Sequence, residues 1–225
     1  IIALACPGVD ASCFCAALGL APDATRGADV MLVPVQGGYA VQTLTARGEE
    51  LVRRHASRFG AAGNGADAEA QRFRDEARRK VQGNLQLAPE GVRGWLERSF
   101  EHPFWATLAL RCHGCGACAS VCPTCHCFDI VDEPEGLEQG TRRRNWDTCQ
   151  TARFTVHGSG HNPRAQQNAR FRQRVNHKFA IYPAKFQEVL CTGCGRCVRA
   201  CPGGMDLLEV LGEIQRMAQG ERGAP

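Results

Sequence analysis

Two copies of one tight cysteine pattern constrain this chain more than any other feature of its sequence. Eight cysteines repeat as C-x2-C-x2-C-x3-C-P: Cys112, Cys115, Cys118 and Cys122 in the first copy, and Cys191, Cys194, Cys197 and Cys201 in the second. Three cysteines at steps of three residues on one loop can surround three corners of an iron–sulfur cubane. Glycines between them allow the loop to approach the cluster closely. The pattern therefore predicts two [4Fe–4S] clusters.

The fourth cysteine of each copy is expected to bind the cluster of the other copy, as it does in two-cluster ferredoxins. The predicted ligands of cluster 1 are Cys112, Cys115, Cys118 and Cys201. The predicted ligands of cluster 2 are Cys191, Cys194, Cys197 and Cys122. Zinc is the alternative metal, but zinc sites use paired C-x2-C knuckles and need neither a third cysteine at the same step nor a C-x3-C-P end. The spacing favours clusters.

Six of the 14 cysteines lie outside the two copies: Cys6, Cys13, Cys15, Cys125, Cys127 and Cys149. The first three share one loop near the start of the chain, and one further ligand would complete a metal site. A third iron–sulfur site formed by Cys6, Cys13, Cys15 and Cys149 is the resulting hypothesis, with Cys125 or Cys127 as other candidates for the fourth ligand. Buried structural thiols and a redox-active thiol pair are the alternatives.

Residues 1–88 mix strand and helix patterns and predict a small α/β domain. The first five residues are apolar and indicate a buried strand, and we expect that residues upstream of Ile1 are missing. Two further strands flank a turn at 36–38, and helices are expected at 48–59 and 67–81.

Residues 89–225 hold both cysteine patterns and predict a mostly helical domain. Helices are expected to begin at Pro89 and to cover 162–179 and 206–217, and the tail at 220–225 is expected to be disordered. Sixty-eight residues separate Cys122 from Cys191, which leaves room for helices inserted between the cluster loops. The predicted class is α+β, a small α/β N-terminal domain followed by an α-helical ferredoxin-like domain with two [4Fe–4S] clusters.

The formal charge of +4 is unevenly distributed. Between Thr141 and Lys178 there are nine Lys or Arg residues and one acid, a local excess of +8. The arginines Arg142, Arg143 and Arg144 are predicted to dock an acidic partner surface or to offset the anionic clusters. No nucleic-acid partner is expected, because no stacking aromatics interleave with the basic residues. We also expect no signal peptide and no membrane span, and a reducing cytoplasm suits the thiols.

Seven segments outside and inside the cysteine repeats carry a resemblance to a known family. They are 12–15, 112–118, 122–129, 144–149, 160–164, 177–179 and 191–197. Together they resemble the iron–sulfur β subunit of cytoplasmic sulfhydrogenase-type [NiFe]-hydrogenases, which is also the A subunit of anaerobic sulfite reductases. The resemblance implies an electron-transfer subunit that connects a flavin/NAD(P)H-oxidising subunit to a metal-containing catalytic subunit. The alternative function is a stand-alone iron–sulfur enzyme that uses its extra cysteines in thiol–disulfide chemistry.

Overall fold

The computed structural model describes residues 1–222, and the chain divides into two compact units. The first unit is Ile1–Gln86 and the second begins at Leu87, two residues before the boundary expected from the sequence. Both units contain helices and strands, as the coarse α+β class requires. No helix among the described residues is long and apolar enough to cross a membrane.

A three-stranded sheet forms the centre of the first unit. Its strands are β1 (Ile2–Leu4), β2 (Val30–Val35) and β3 (Gly38–Thr43), and β2 lies in the middle. β1 runs parallel to β2, and β3 runs antiparallel to it. The predicted turn between β2 and β3 is confirmed. It is two residues long, and Gly37 has a φ of +79°, which glycine adopts without strain.

The strand at the start of the chain is confirmed, but the expectation that it is buried was wrong. Ile2 and Leu4 are 59% and 47% exposed. β1 is an edge strand of only three residues, so the sheet covers little of its surface. The buried residues of this sheet lie on β2. Met31 and Val33 of that strand form one cluster with Ala5, which follows β1, and with Ala70.

Two helices pack around the sheet, α1 (Ala46–Arg54) and α2 (Ala66–Gln82). α1 begins two residues earlier than predicted, because the hydroxyl of Thr45 accepts a hydrogen bond from the amide of Gly48 and caps the helix. The helix also ends earlier than predicted, and a separate 3-10 turn follows it at Ala56–Arg58.

The second unit contains most of the helices. They are α3 (Pro89–Arg98), α4 (Phe104–Leu108), α5 (Ala117–Ser120), α6 (Gln167–Asn176), α7 (Tyr182–Phe186), α8 (Arg196–Arg199) and α9 (Leu207–Arg222). α3 begins at Pro89 as predicted and packs against α9. Trp95 and Leu96 on α3 are fully buried, so this pair of helices provides a hydrophobic base for the unit.

Three predicted helix boundaries in this unit were wrong. The helix expected from residue 162 begins only at Gln167, because the side chain of Asn162 accepts a hydrogen bond from the amide of Arg164 and holds a turn. It also continues past residue 179, through a π-helical segment at His177–Ile181 and into α7. α9 runs to Arg222, so the start of the tail is helical, and residues 223–225 lie outside the described residues.

The segment between the two cysteine repeats contains strands as well as the helices that were predicted, and the strands were not predicted. It contains an antiparallel ribbon of β4 (Phe128–Pro134) and β5 (Gly140–Trp146). Almost every residue of the ribbon is exposed, so no alternation of polar and apolar residues marks it in the sequence. Cross-strand ion pairs stabilise it instead, between Arg142 and Asp132 at 2.6 Å and between Arg143 and Glu133 at 2.5 Å.

Candidate metal centre

The first cysteine repeat lies on a loop that leads into the short helix α5. Gly114 and Gly116 in this loop have φ values of +67° and +77°, in the left-handed region that favours glycine. The loop is also closely packed, since a Cβ atom at position 114 would lie 2.4 Å from Oε1 of Gln167. The sequence therefore folds into a tight, closely packed bend.

A cavity lies beneath this loop and collects cysteines from both repeats. Its sulfur-bearing residues are Cys112, Cys115, Cys118, Cys197 and Cys201. The four predicted ligands of cluster 1 are among them, including the one from the distant second repeat. The structure thus brings these four cysteines together. Cys197, a predicted ligand of cluster 2, lines the same cavity, so the assignment of each cysteine to one cluster stays a prediction.

The second repeat has the same local geometry as the first. Gly193 and Gly195 have φ values of +64° and +65°, and Gly195 precedes α8 as Gly116 precedes α5. α5 and α8 pack against each other. Burial, together with the nearby charges of Cys197 and Cys122, raises the pKa of Cys191 to about 11. Three of the predicted ligands of cluster 2 therefore lie close together.

Several N–H groups point at the cysteine sulfurs. Nε2 of Gln167 donates to Sγ of Cys112 at 3.1 Å. The amide of Gly193 donates to Sγ of Cys191 at 3.4 Å, and the amide of Met205 donates to Sγ of Cys201 at 3.3 Å. Hydrogen bonds to ligand sulfurs stabilise negative charge on them and raise the reduction potential of a bound cluster.

Lys178 is a buried cation beside a predicted cluster ligand. It is only 3% exposed, and its ammonium group donates to Sγ of Cys122 at 3.4 Å. The same group donates to Oγ1 of Thr124 at 3.0 Å and to the carbonyl of Leu190 at 2.9 Å. Sequence reasoning placed Lys178 only within a basic docking stretch and missed this inward role.

Arg174 is the clearest sign that an anionic group belongs in this site. It is 4% exposed, and within the described residues its Nε and Nη2 atoms have no hydrogen-bond partner. Burial lowers the pKa of its guanidinium, but the adjacent thiolates of Cys118 and Cys197 raise that pKa more, so Arg174 stays charged. A buried cation with unpaired N–H groups is costly without a counter-charge. A thiolate-bound cluster supplies that charge, so the residues fit the predicted clusters.

The +8 stretch is therefore mostly not a free basic surface. Arg170, Arg174 and Lys178 are buried, and Arg142 and Arg143 are paired with acids across the ribbon. The guanidinium of Arg144 lies 3.9 Å from the centre of the Phe128 ring on the exposed ribbon. Of the two roles predicted for this stretch, the geometry favours the offsetting of cluster charge, and docking by Arg142, Arg143 and Arg144 stays a prediction.

The cysteines outside the repeats fall into two groups. In the first unit, Cys6 and Cys13 are near enough to Cys15 that their charges, after the larger effect of burial, raise its pKa. In the second unit, Cys125, Cys127 and Cys149 line one small cavity. The third site predicted from Cys6, Cys13, Cys15 and Cys149 stays a prediction. Among residues 1–222, no three Cys, His, Asp or Glu side chains converge on a point suited to one metal ion. A cubane does not need such a point, because each of its thiolate ligands binds a different iron.

Comparisons with known proteins support this interpretation of the centre. Residues 111–205 match the 4Fe–4S dicluster domain family, and that range contains all eight cysteines of the two repeats. The chain is 31% identical over 208 residues to sulfhydrogenase 2 subunit beta of Pyrococcus furiosus. Over this range it is similar to a sulfhydrogenase β subunit. The match covers 92% of this chain, and the chain spans 60% of the length of that relative. No solved structure matches the chain.

These findings confirm two predictions made from the sequence. A dicluster domain holds two [4Fe–4S] clusters, as the cysteine spacing predicted. The resemblance to the iron–sulfur β subunit of sulfhydrogenase-type enzymes is also confirmed. The resemblance to anaerobic sulfite reductases stays a prediction.

Proposed function

We propose that this chain is an electron-transfer subunit that relays electrons between a flavin/NAD(P)H-oxidising subunit and a separate metal-containing catalytic subunit. The catalytic partner is of hydrogenase or sulfite reductase type, and the complex works in the cytoplasm. The homology to a sulfhydrogenase β subunit supports the proposal. The observation that carries it is the buried cation Arg174, which lies next to Cys118 of one repeat and Cys197 of the other.

The crossed arrangement of an α-helical ferredoxin is part of this proposal. Cys112, Cys115, Cys118 and Cys201 hold cluster 1, and Cys191, Cys194, Cys197 and Cys122 hold cluster 2. The position of Cys201 on the cavity of the first loop supports the crossing, as does the proximity of Cys122 to Cys191. Each bound cluster supplies a one-electron carrier, and the crossing keeps the two carriers adjacent.

The chain's own residues tune and shield these carriers and do no substrate chemistry. Lys178 and Arg174 hold positive charge against the cysteine sulfurs in a site from which water is largely excluded, where a charge acts strongly. The N–H groups of Gln167, Gly193 and Met205 add to this effect. These contacts favour the reduced, more negative state of each cluster.

The exposed ribbon of β4 and β5 is proposed as a docking surface for one partner subunit. Its apolar side chains Ile130 and Trp146 are each 56% exposed, and Arg144 adds a positive charge over the ring of Phe128. Exposed aromatic and arginine side chains are the types that anchor protein interfaces.

The purified, cluster-replete chain tests this function. It should accept electrons from dithionite, yet it should neither oxidise NAD(P)H nor evolve hydrogen. Addition of a flavoprotein partner should make NAD(P)H an effective reductant of the clusters. Sustained NAD(P)H oxidation by the isolated chain would contradict the relay and favour the stand-alone enzyme.

A further inference from the structure

Three cysteines that the relay does not use lie together in the second unit. Cys125, Cys127 and Cys149 line one small cavity, whose other polar residues are Thr124, His126, Arg174, His177 and Lys178. Within this group the thiols are arranged in pairs. Cys127 interacts with Cys149, whereas Cys125 interacts with Cys122, a proposed ligand of cluster 2.

The ribbon brings Cys127 and Cys149 close together. Cys127 immediately precedes β4, and Cys149 follows the end of β5 by three residues. Phe128 faces Trp146 in the strand register, and the amide of Asp147 donates to the carbonyl of Cys127 at 3.1 Å. Backbone hydrogen bonds thus hold the base of the ribbon together, and both cysteines line the same small cavity there.

The surroundings of the pair favour a thiolate at Cys127, because the interaction with Cys149 lowers the pKa of Cys127 to about 6, whereas the same interaction and burial raise the pKa of Cys149. Arg174 and Lys178 are both buried cations on the wall of the cavity. Nε2 of Gln150 donates to Sγ of Cys149 at 3.5 Å, and Gln150 is itself fully buried. Cations and N–H donors stabilise a thiolate, which is the reactive species in disulfide formation and exchange.

The pair is adjacent to both proposed clusters and to an open cavity. Arg174 lines this cavity and also the cavity of the first cysteine loop. Burial raises the pKa of Cys118, and the nearby charge of Cys149 adds to that rise, so these two cysteines lie near each other. His126 and His177 line this cavity and also a second, open cavity of about 470 Å³. The pair therefore has electron carriers close by and a route for protons through the cavity that the two histidines share.

We propose that Cys127 and Cys149 form a redox-active dithiol that exchanges electrons with the two clusters. When the pair is oxidised, the two S–H bonds break, one S–S bond forms, two protons leave to solvent, and two electrons pass one to each cluster. Reduction reverses each of these steps. The pair thus adds a site that stores two electrons at once to a series of clusters that each carry one electron. The proposal rests on the proposed relay, because the clusters are its electron source.

The test uses the cluster-replete chain and a Cys149→Ser variant, both equilibrated anaerobically with glutathione buffers of increasing oxidising strength. Acid quenching, alkylation and peptide mapping should show a peptide pair linked between Cys127 and Cys149 in the oxidised wild type. Reductive titration with dithionite should then consume two electrons per chain more for the wild type than for the variant. A Cys127→Ser variant should behave as Cys149→Ser does.

Iron content and the EPR signals of the clusters are measured on the same samples, so that a failure of the relay is seen separately from a failure of the thiol pair. The proposal would be overturned if the clusters are normal, both thiols are alkylated in every glutathione buffer, and the wild type and the variant take up the same number of electrons. A loss of about four irons and of one EPR signal in Cys149→Ser would also overturn it, because Cys149 would then be a cluster ligand.

Discussion

The ammonium group of Lys178 lies 3.4 Å from the sulfur of Cys122 and is almost completely shielded from water. A cluster gains one negative charge when it is reduced. A positive charge held this close to a ligand sulfur therefore stabilises the reduced state more than the oxidised state.

Substitution of Lys178 by Met should lower the reduction potential of cluster 2. The lost charge-assisted hydrogen bond is worth roughly 1.5–3 kcal/mol, which corresponds to about 60–130 mV for a one-electron carrier. An EPR-monitored redox titration measures the shift. Lys185→Met is the matched control, since Lys185 lies over the ring of Phe186 on the exposed surface, and it should leave both potentials unchanged.

Substitution of Arg174 by Met should lower the reduction potentials of both clusters, not that of cluster 2 alone. The guanidinium lies next to Cys118 and Cys197, which are assigned to different clusters, so its removal affects both by about 60 mV or more. Arg174→Lys keeps the charge and should recover part of the shift. A change confined to one cluster would show that Arg174 does not lie between the two.

Substitution of Gly203 by Ala should disrupt cluster 1 selectively. A Cβ atom at position 203 would lie 2.3 Å from the carbonyl oxygen of Arg111 and 3.0 Å from the ring of His113, so the loops that carry Cys112 and Cys201 must move apart. Overpacking of this kind costs about 1–3 kcal/mol.

Iron analysis and thermal unfolding of the Gly203→Ala holoprotein measure the effect. Gly212→Ala is the matched control, because nothing lies within 4 Å of its added Cβ atom on helix α9. The control should keep its full iron content and a melting temperature at least as high as that of the wild type. Equal iron loss in both variants would contradict the prediction.

The cysteine repeats were predictable because three of the four ligands expected for each cluster lie on one short loop. Each repeat sets its own loop, and the glycines at 114, 116, 193 and 195 adopt matching left-handed conformations. The sequence also indicated helix α3 and the turn between β2 and β3, since each has a strong local signal. None of these features depends on contacts made far along the chain.

The inward-facing cations were not predicted, because a count of charges does not show which way each side chain points. A signal was nevertheless present. Arg170, Arg174 and Lys178 recur every four residues and so share one face of the helix, and all three are buried. The ribbon of β4 and β5 was missed for another reason. It is exposed on both faces, so the usual alternation of polar and apolar residues does not mark it.

The crossed ligation can be tested by substituting the fourth cysteine of each repeat with serine, one repeat at a time. Cys122→Ser should change the EPR signal and potential of cluster 2, and Cys201→Ser should change those of cluster 1. The signals are assigned by separate substitutions of Cys191 and Cys115, which lie in different repeats. If each fourth cysteine instead affects the cluster of its own repeat, the crossing is wrong.

Anaerobic iron and acid-labile sulfide analysis, with EPR of the dithionite-reduced protein, tests the central claim most directly. Two [4Fe–4S] clusters require about eight irons and eight sulfides per chain and two interacting paramagnetic centres after reduction. Stoichiometric zinc with negligible sulfide and no EPR signal would contradict the account.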